Sequence, residues 1–142
     1  MLLSRASQYT LQALIYLARQ PADRLVMVKE IADGLDLPVF YLGKLMQAPA
    51  RAGWLTTARG RGGGIMLHVD AHSLTLSEIL QLTEGRRISH ECLLGFKDCD
   101  DATACVVHCQ WKPIKQELCE GFGGYSLAAL AGMPLPAWLQ TG

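Results

Sequence analysis

The sequence of 142 residues lacks any run of the ~18 to 20 uncharged apolar residues needed to cross a bilayer, although half of its residues are hydrophobic. Its opening, MLLSRASQYT, has no basic stretch leading into an apolar one, so no secretory leader is read there and a cytoplasmic location is expected. It has no Cys-x-x-Cys pair and no alternation of strands and helices that would frame a cofactor pocket, which argues against a thiol oxidoreductase and against an enzyme generally. No segment repeats. Charged residues make up only 18% and sum to zero, an unpromising balance for a partner of nucleic acid.

That average conceals an asymmetry. Residues 1–61 carry eight Lys or Arg against four Asp or Glu, whereas residues 62–142 carry five against nine. A basic half is therefore followed by an acidic one, as a reading face would be by a regulatory part. The length suits one compact unit with one core.

Apolar spacing and punctuation divide that unit. Leu11, Leu14, Ile15 and Ala18 recur at helical period over residues 4–19, with Ser4 placed to cap. A short second helix over residues 28–33 is expected to close at Gly34, and Asp36-Leu37-Pro38 turns the chain into a third helix that begins at Pro38. This third helix buries Leu42, Leu45 and Met46 and turns Tyr41, Gly43, Lys44 and Gln47 outward, with a stop or kink enforced by Pro49. Strands at residues 54–58 and 65–68 flank the tip Arg59-Gly60-Arg61-Gly62-Gly63-Gly64. Thr75 and Glu78 have the spacing of a capping box, and the helix they open closes at Gly85. Residues 86–105 show no period and read as a loop. A last helix carries Trp111, Ile114, Leu118 and Phe122 on one stripe, its regular part starting near Pro113, and the Gly-, Ala- and Pro-rich tail follows.

The order helix, short helix, turn, exposed helix, strand, basic tip, strand is that of a winged helix-turn-helix. An exposed helix of this kind fits the major groove of double-stranded DNA, where base edges are distinguishable. Tyr41 and Lys44 are the side chains directed to DNA, and Arg59 and Arg61 lie among glycines that let a guanidinium approach phosphates or the minor groove.

Five cysteines is an odd number, and four of them fall between Cys92 and Cys109. Cys92, Cys99 and Cys105, spaced seven and six positions apart in a loop, can converge on one centre, and thiolates favour iron–sulfur clusters, zinc or copper(I). The spacing is not that of common zinc fingers. His108 and Cys109, three and four positions after Cys105, are both candidate fourth ligands. Cys119 stands about 21 Å beyond Cys105 along a helix rising ~1.5 Å per residue, too far to join, and is read as a small buried hydrophobe.

Taken together, Tyr9-Thr10-Leu11-Gln12-Ala13-Leu14, the stretch Ile31-Ala32 to Tyr41-Leu42, the wing Arg59–Gly64 and the three cysteines before a helix resemble the Rrf-type iron–sulfur winged-helix regulators, IscR/NsrR-like. The resemblance covers nearly the whole chain. It implies a homodimer with paired C-terminal helices, wing and third helix on DNA, and a cluster ligated by Cys92, Cys99 and Cys105. His108 matches the histidine that completes a two-iron cluster in some members, although the first gap here is one residue longer. Other members take a carboxylate from the partner's first helix, at the position of Gln8, and a neutral amide is a poor substitute. A 2Fe-2S cluster is therefore favoured over 4Fe-4S, with Cys109 and Gln8 as lesser ligands. A glutamate that tunes DNA choice in IscR-like members is Gly43 here, so that selectivity does not carry over.

The expectation is a mostly α fold with a small β-wing: a DNA-binding winged helix over residues 1–85, a cluster-binding loop over 86–109 and a long dimerisation helix with tail over 110–142. Trp111, Ile114, Leu118 and Phe122 are expected at the dimer interface. The function expected is a dimeric transcription regulator, chiefly a repressor, acting on a two-fold symmetric operator and sensing redox state, nitric oxide or iron–sulfur status, with no membrane partner. The alternative is a winged-helix regulator that uses thiols, disulfides or zinc without a cluster.

Overall fold

The computed structural model describes residues 3–85, 90–96 and 98–134. Its central element is α1 (Arg5–Ala18), capped by the Ser4 hydroxyl, which accepts from the Ser7 amide at 3.2 Å. Ser7, Thr10, Leu14 and Leu17 recur on one side of α1 and are buried with Ala13. Around them pack α2 (Val28–Leu35), α3 (Val39–Leu45), α5 (Leu76–Glu84) and the second wing strand.

Two boundaries differ from the sequence reading. Helix α2 does not close at Gly34; it runs on through the half-buried Leu35 and ends where Asp36 takes the left-handed conformation at φ 54°. Aspartate tolerates that region better than most residues. Gly34 instead lies against Tyr16, whose ring would stand 3.3 Å from an added Cβ. Pro38 is the N-cap rather than the first helical residue of α3. After Met46 a new short helix, α4 (Gln47–Arg51), begins, so Pro49 falls in a first turn where its missing N–H costs little, and the ring is buried.

The wing pairs β1 (Leu55–Ala58) with β2 (Gly64–Leu67), Leu55 opposite Leu67 and Ala58 opposite Gly64. Val26 and Ile65 exchange two backbone hydrogen bonds of 2.8 Å, which fasten the wing to the body. The price of that close approach is a glycine at position 64, where a Cβ would lie 2.4 Å from the Val26 carbonyl oxygen. Thr75 and Glu78 form the expected capping box at the start of α5, and Gly85 closes it.

The helical path at the C-terminal end changes gait twice. Regular α6 (His108–Gln116) starts well before Pro113, continues as a π turn over Glu117–Gly121 and tightens to a 3-10 turn over Phe122–Gly124. Gly121, Gly123 and Gly124 favour no regular helix, and Gly123 lets this segment close on α5, with Ser77 Cβ only 3.1 Å from where a Cβ would stand. The tail then holds an element the sequence reading missed, α7 (Leu127–Ala131), capped by Ser126. Its Leu127 enters the core. Leu127 N donates to the Leu74 carbonyl at 2.7 Å, and Arg19 Nε and Nη2 donate to the Ala131 and Met133 carbonyls at 2.9 and 2.7 Å. Among the described residues no helix is long and apolar enough to cross a membrane.

Candidate functional site

Four polar side chains gather where the cysteine loop meets the start of α6. Cys92 Sγ lies 3.5 Å from Cys105 Sγ, and Cys99 Sγ lies 3.5 Å from His108 Nδ1. They form two pairs: among the described residues no three His, Cys, Asp or Glu side chains close on a point as ligands of one ion. Two thiolates on one tetrahedral metal at ~2.3 Å would stand roughly 3.7 Å apart, so each pair has the separation of two donors on one metal.

Local turns set the donors. Gly95, at φ 76°, lets its amide reach back to the Cys92 carbonyl at 2.9 Å. Cys92 is buried, and the Phe96 amide, then those of Leu94 and Gly95 with the Cys105 thiol, hold its thiol below the usual range against the opposing effect of burial. That favours the thiolate, the form that binds metal. Glu91 and Asp98 pair across the loop, and the Cys99 amide donates to the His90 carbonyl at 2.6 Å. The Asp100 carboxylate caps a 3-10 turn over Asp101–Thr103, accepting from Ala102 N and Thr103 N at 2.8 and 2.9 Å.

His108 opens α6 and is 6% exposed. Its Nε2 lies 2.9 Å from Asp101 Oδ1, and Lys112 Nζ reaches both Asp101 oxygens at 2.9 and 3.1 Å. The hydrogen bonds from His108, then Lys112, hold the Asp101 carboxyl below its ordinary range. Asp101 is a residue the sequence reading missed; an acid seven positions before a histidine carries no signal until a turn folds it back. The competitor Cys109 is exposed, whereas Cys119 is half-buried and lines an open cavity of about 370 Å³ with Cys99, His108, Lys112 and Lys115. Gln8 lies in α1, with its amide donating to the Leu3 carbonyl at 3.5 Å.

In the N-terminal half of the chain, α3 turns Tyr41 and Lys44 to the surface as expected, with Gln47 exposed just after it, and exposes Phe40 as well. Phe40 is 91% exposed, more than any other large hydrophobic side chain described. Tyr41 is 39% exposed and leans edge-on against Tyr9, the ring centroids 5.9 Å apart. Lys44 is exposed, and Gly43 faces open space. Phe40, Gly43 and Lys44 share one face of α3, with the exposed Gln47 opening α4 just beyond it. Arg59 and Arg61 are exposed on the wing tip, where Gly60 and Gly62 have φ of 84° and 76°. On the C-terminal path Ile114 and Phe122 are each 54% exposed, while Trp111 and Leu118 are half-buried.

A three-helix body with an exposed helix after a tight turn, followed by a basic two-stranded wing, defines a winged-helix DNA-binding transcription regulator. The chain belongs to the Rrf2 family, whose model, described as an iron-dependent transcriptional regulator, matches residues 3–132. It is 32% identical over 114 residues to the HTH-type transcriptional regulator NsrR of Bacillus licheniformis, covering 80% of this chain and 73% of that one. It is 25% identical over 130 residues to the HTH-type transcriptional regulator IscR of Vibrio campbellii, covering 92% and 77%. Its fold matches the structure of CymR, the global cysteine regulator of B. subtilis, with a TM-score of 0.76 and 25% identity over 91% of this chain and 95% of that one. The family and these relatives are transcriptional regulators, not enzymes.

Proposed function

We propose that this regulator is a homodimer that binds a two-fold symmetric DNA operator and senses its signal through a 2Fe-2S cluster held by Cys92, Cys99, Cys105 and His108. The observation that carries the reading is the arrangement of donors in two pairs, Cys92 with Cys105 and Cys99 with His108, each 3.5 Å apart. A two-iron cluster needs two protein donors on each iron, whereas a single zinc ion needs its donors gathered at one point. The family description as iron-dependent supports the same metal. A bound cluster would supply one-electron redox chemistry and a reactive, signal-sensitive centre. The chain's part is to present thiolates and an imidazole in a turn-rich loop and to connect that loop to the reading head through α5.

That connection has a visible anchor. Glu84, the last residue of α5, is buried at the N-terminus of α1, where it accepts from Ser4 N and Ser4 Oγ at 2.8 and 2.7 Å and from Ser7 Oγ. Reordering of the loop beyond α5 therefore bears on the helix that packs against α3. Phe40 and Lys44 face the major groove, Tyr41 supports them from its place against Tyr9, and Arg59 and Arg61 contact phosphates or the minor groove. The dimer is proposed to cover Ile114 and Phe122, with Trp111 and Leu118 beside them, repression being the expected outcome of DNA occupancy.

An anaerobic absorption spectrum tests the cluster. Visible charge-transfer bands with two irons per chain are expected, and Cys105→Ala should abolish them while Cys109→Ala leaves them. The 3.5 Å approach of Cys92 to Cys105 and the likeness to a cysteine regulator favour a second reading, a switch based on these thiols alone. A colourless protein that loses two thiols on mild oxidation, with a Cys92–Cys105 disulfide in its peptide map, would establish that reading instead.

A further inference from the structure

The two ring nitrogens of His108 meet different partners, Nε2 the Asp101 carboxylate and Nδ1 the Cys99 sulfur. An ionised carboxylate only accepts hydrogen bonds, so the 2.9 Å contact with Asp101 Oδ1 requires a proton on His108 Nε2. In a neutral imidazole the other nitrogen is then bare, and here that nitrogen, Nδ1, lies 3.5 Å from Cys99 Sγ. Resting on the cluster reading above, we propose that Asp101 is a positioning residue that holds His108 in the tautomer presenting Nδ1 to the iron shared with Cys99, and that Lys112 holds Asp101 in place.

The Asp101 side chain is 77% exposed, and a lone hydrogen bond at such a site would be loosely held. Two restraints remove that freedom. The 3-10 turn capped by Asp100 fixes the backbone of Asp101, and Lys112, one turn after His108 on the same face of α6, binds both carboxylate oxygens. His108 and Lys112 thus meet Asp101 at the same oxygen, Oδ1, each at 2.9 Å. A carboxylate behind a ligating imidazole fixes the ring and raises its basicity, and losing such a partner typically costs about 10- to 100-fold in metal affinity.

The test uses the full-length protein in two states. In the cluster-free state, long-range proton–nitrogen NMR at roughly pH 8, where an ordinary imidazole is neutral, should show His108 as the single Nε2–H tautomer. Asp101→Ala should give a mixture, and Asp101→Asn, whose amide oxygen still accepts, should restore the parent pattern. In the loaded state Asp101→Ala should release iron to a chelator about 10- to 100-fold faster than the parent. Asp101→Asn should keep the cluster and its histidine nitrogen hyperfine coupling at a raised reduction potential, because a neutral partner donates less charge through the ring. Lys112→Met should act in the direction of Asp101→Ala by less than about fivefold, as suits an exposed ion pair. If Asp101→Ala keeps the parent tautomer, or its loaded form matches the parent in release rate and potential, Asp101 has no positioning role. If the parent binds no cluster on reconstitution, the cluster reading itself falls, whatever the NMR pattern, and the proposal falls with it.

Discussion

Among the described residues, twelve of the thirteen side chains in the buried apolar core lie between Ala13 and Ile79, and Leu127 alone comes from the C-terminal part. Between Cys92 and Gln116, by contrast, the side chains buried among the described residues are Cys92, His108 and Lys115. The reading head owes its shape to apolar surface withdrawn from water, a non-directional force that many side chains share. The cysteine loop owes its shape to short-range polar bonds such as the Asp100 cap and the Asp101–His108 contact, each individually modest. A head built in the first way spreads its stability over many contacts; a loop built in the second way depends on a few directional bonds.

Mutations can break this contrast. Leu14 is fully buried in α1, and Leu14→Ala should cost about 2 to 5 kcal/mol of stability, measured by urea unfolding, and impair every function together. Cys105→Ala in the cluster-free protein should leave the unfolding midpoint nearly unchanged. Comparable losses from the two would dissolve the distinction between the regions. Glu84→Ala probes the junction and should cost about 1 to 3 kcal/mol, since the Ser4 and Ser7 donors lose their acceptor. If it also uncouples cluster state from DNA affinity, the α1–α5 anchor is the route between regions; DNA affinity that still follows the cluster in this variant would place the route elsewhere.

Smaller effects sharpen the account of the head. Replacing Arg59 and Arg61 together should lower the slope of log affinity against log salt by roughly 3 to 4 if both arginines of each protomer meet phosphates, four contacts in the dimer, while the absorption spectrum stays as it was. An unchanged slope would remove the wing tip from the interface. Phe40→Ala should weaken binding by about fivefold per half-site, the worth of one apolar contact of ~1 kcal/mol on each protomer. Deoxyuridine in place of thymidine, position by position, should reproduce that loss at one base pair of each half-site and have no further effect in the variant, because the thymine methyl is the apolar feature of the major groove. Equal sensitivity of parent and variant to every such substitution would show that Phe40 reads no methyl group.

The head was largely legible because its signals are local and redundant. Ser4, the Thr75–Glu78 box and the helical period of α1 each act within a few residues, and they agree with one another. The outward face of α3 was legible from Tyr41, Lys44 and Gln47, but Phe40, the most exposed large apolar side chain among the described residues, was not read as part of it. Helix α7 escaped notice because LAALA has the look of a small-residue tail, and its order comes from bonds to Leu74, Ala71 and Arg19, all distant in sequence.

What the amino-acid sequence determined by itself, then, was the winged-helix order, the basic tip and the set of cysteines with His108, since periodicity, turn chemistry and ligand type are properties of short segments. Tertiary structure alone decided which donors pair, that Asp101 stands behind His108, and that the helical path from His108 widens to a π turn and then tightens to a 3-10 turn where it meets α5. Those outcomes depend on distances between residues far apart in the chain, and such distances are set by how the whole core closes rather than by any segment's own preference.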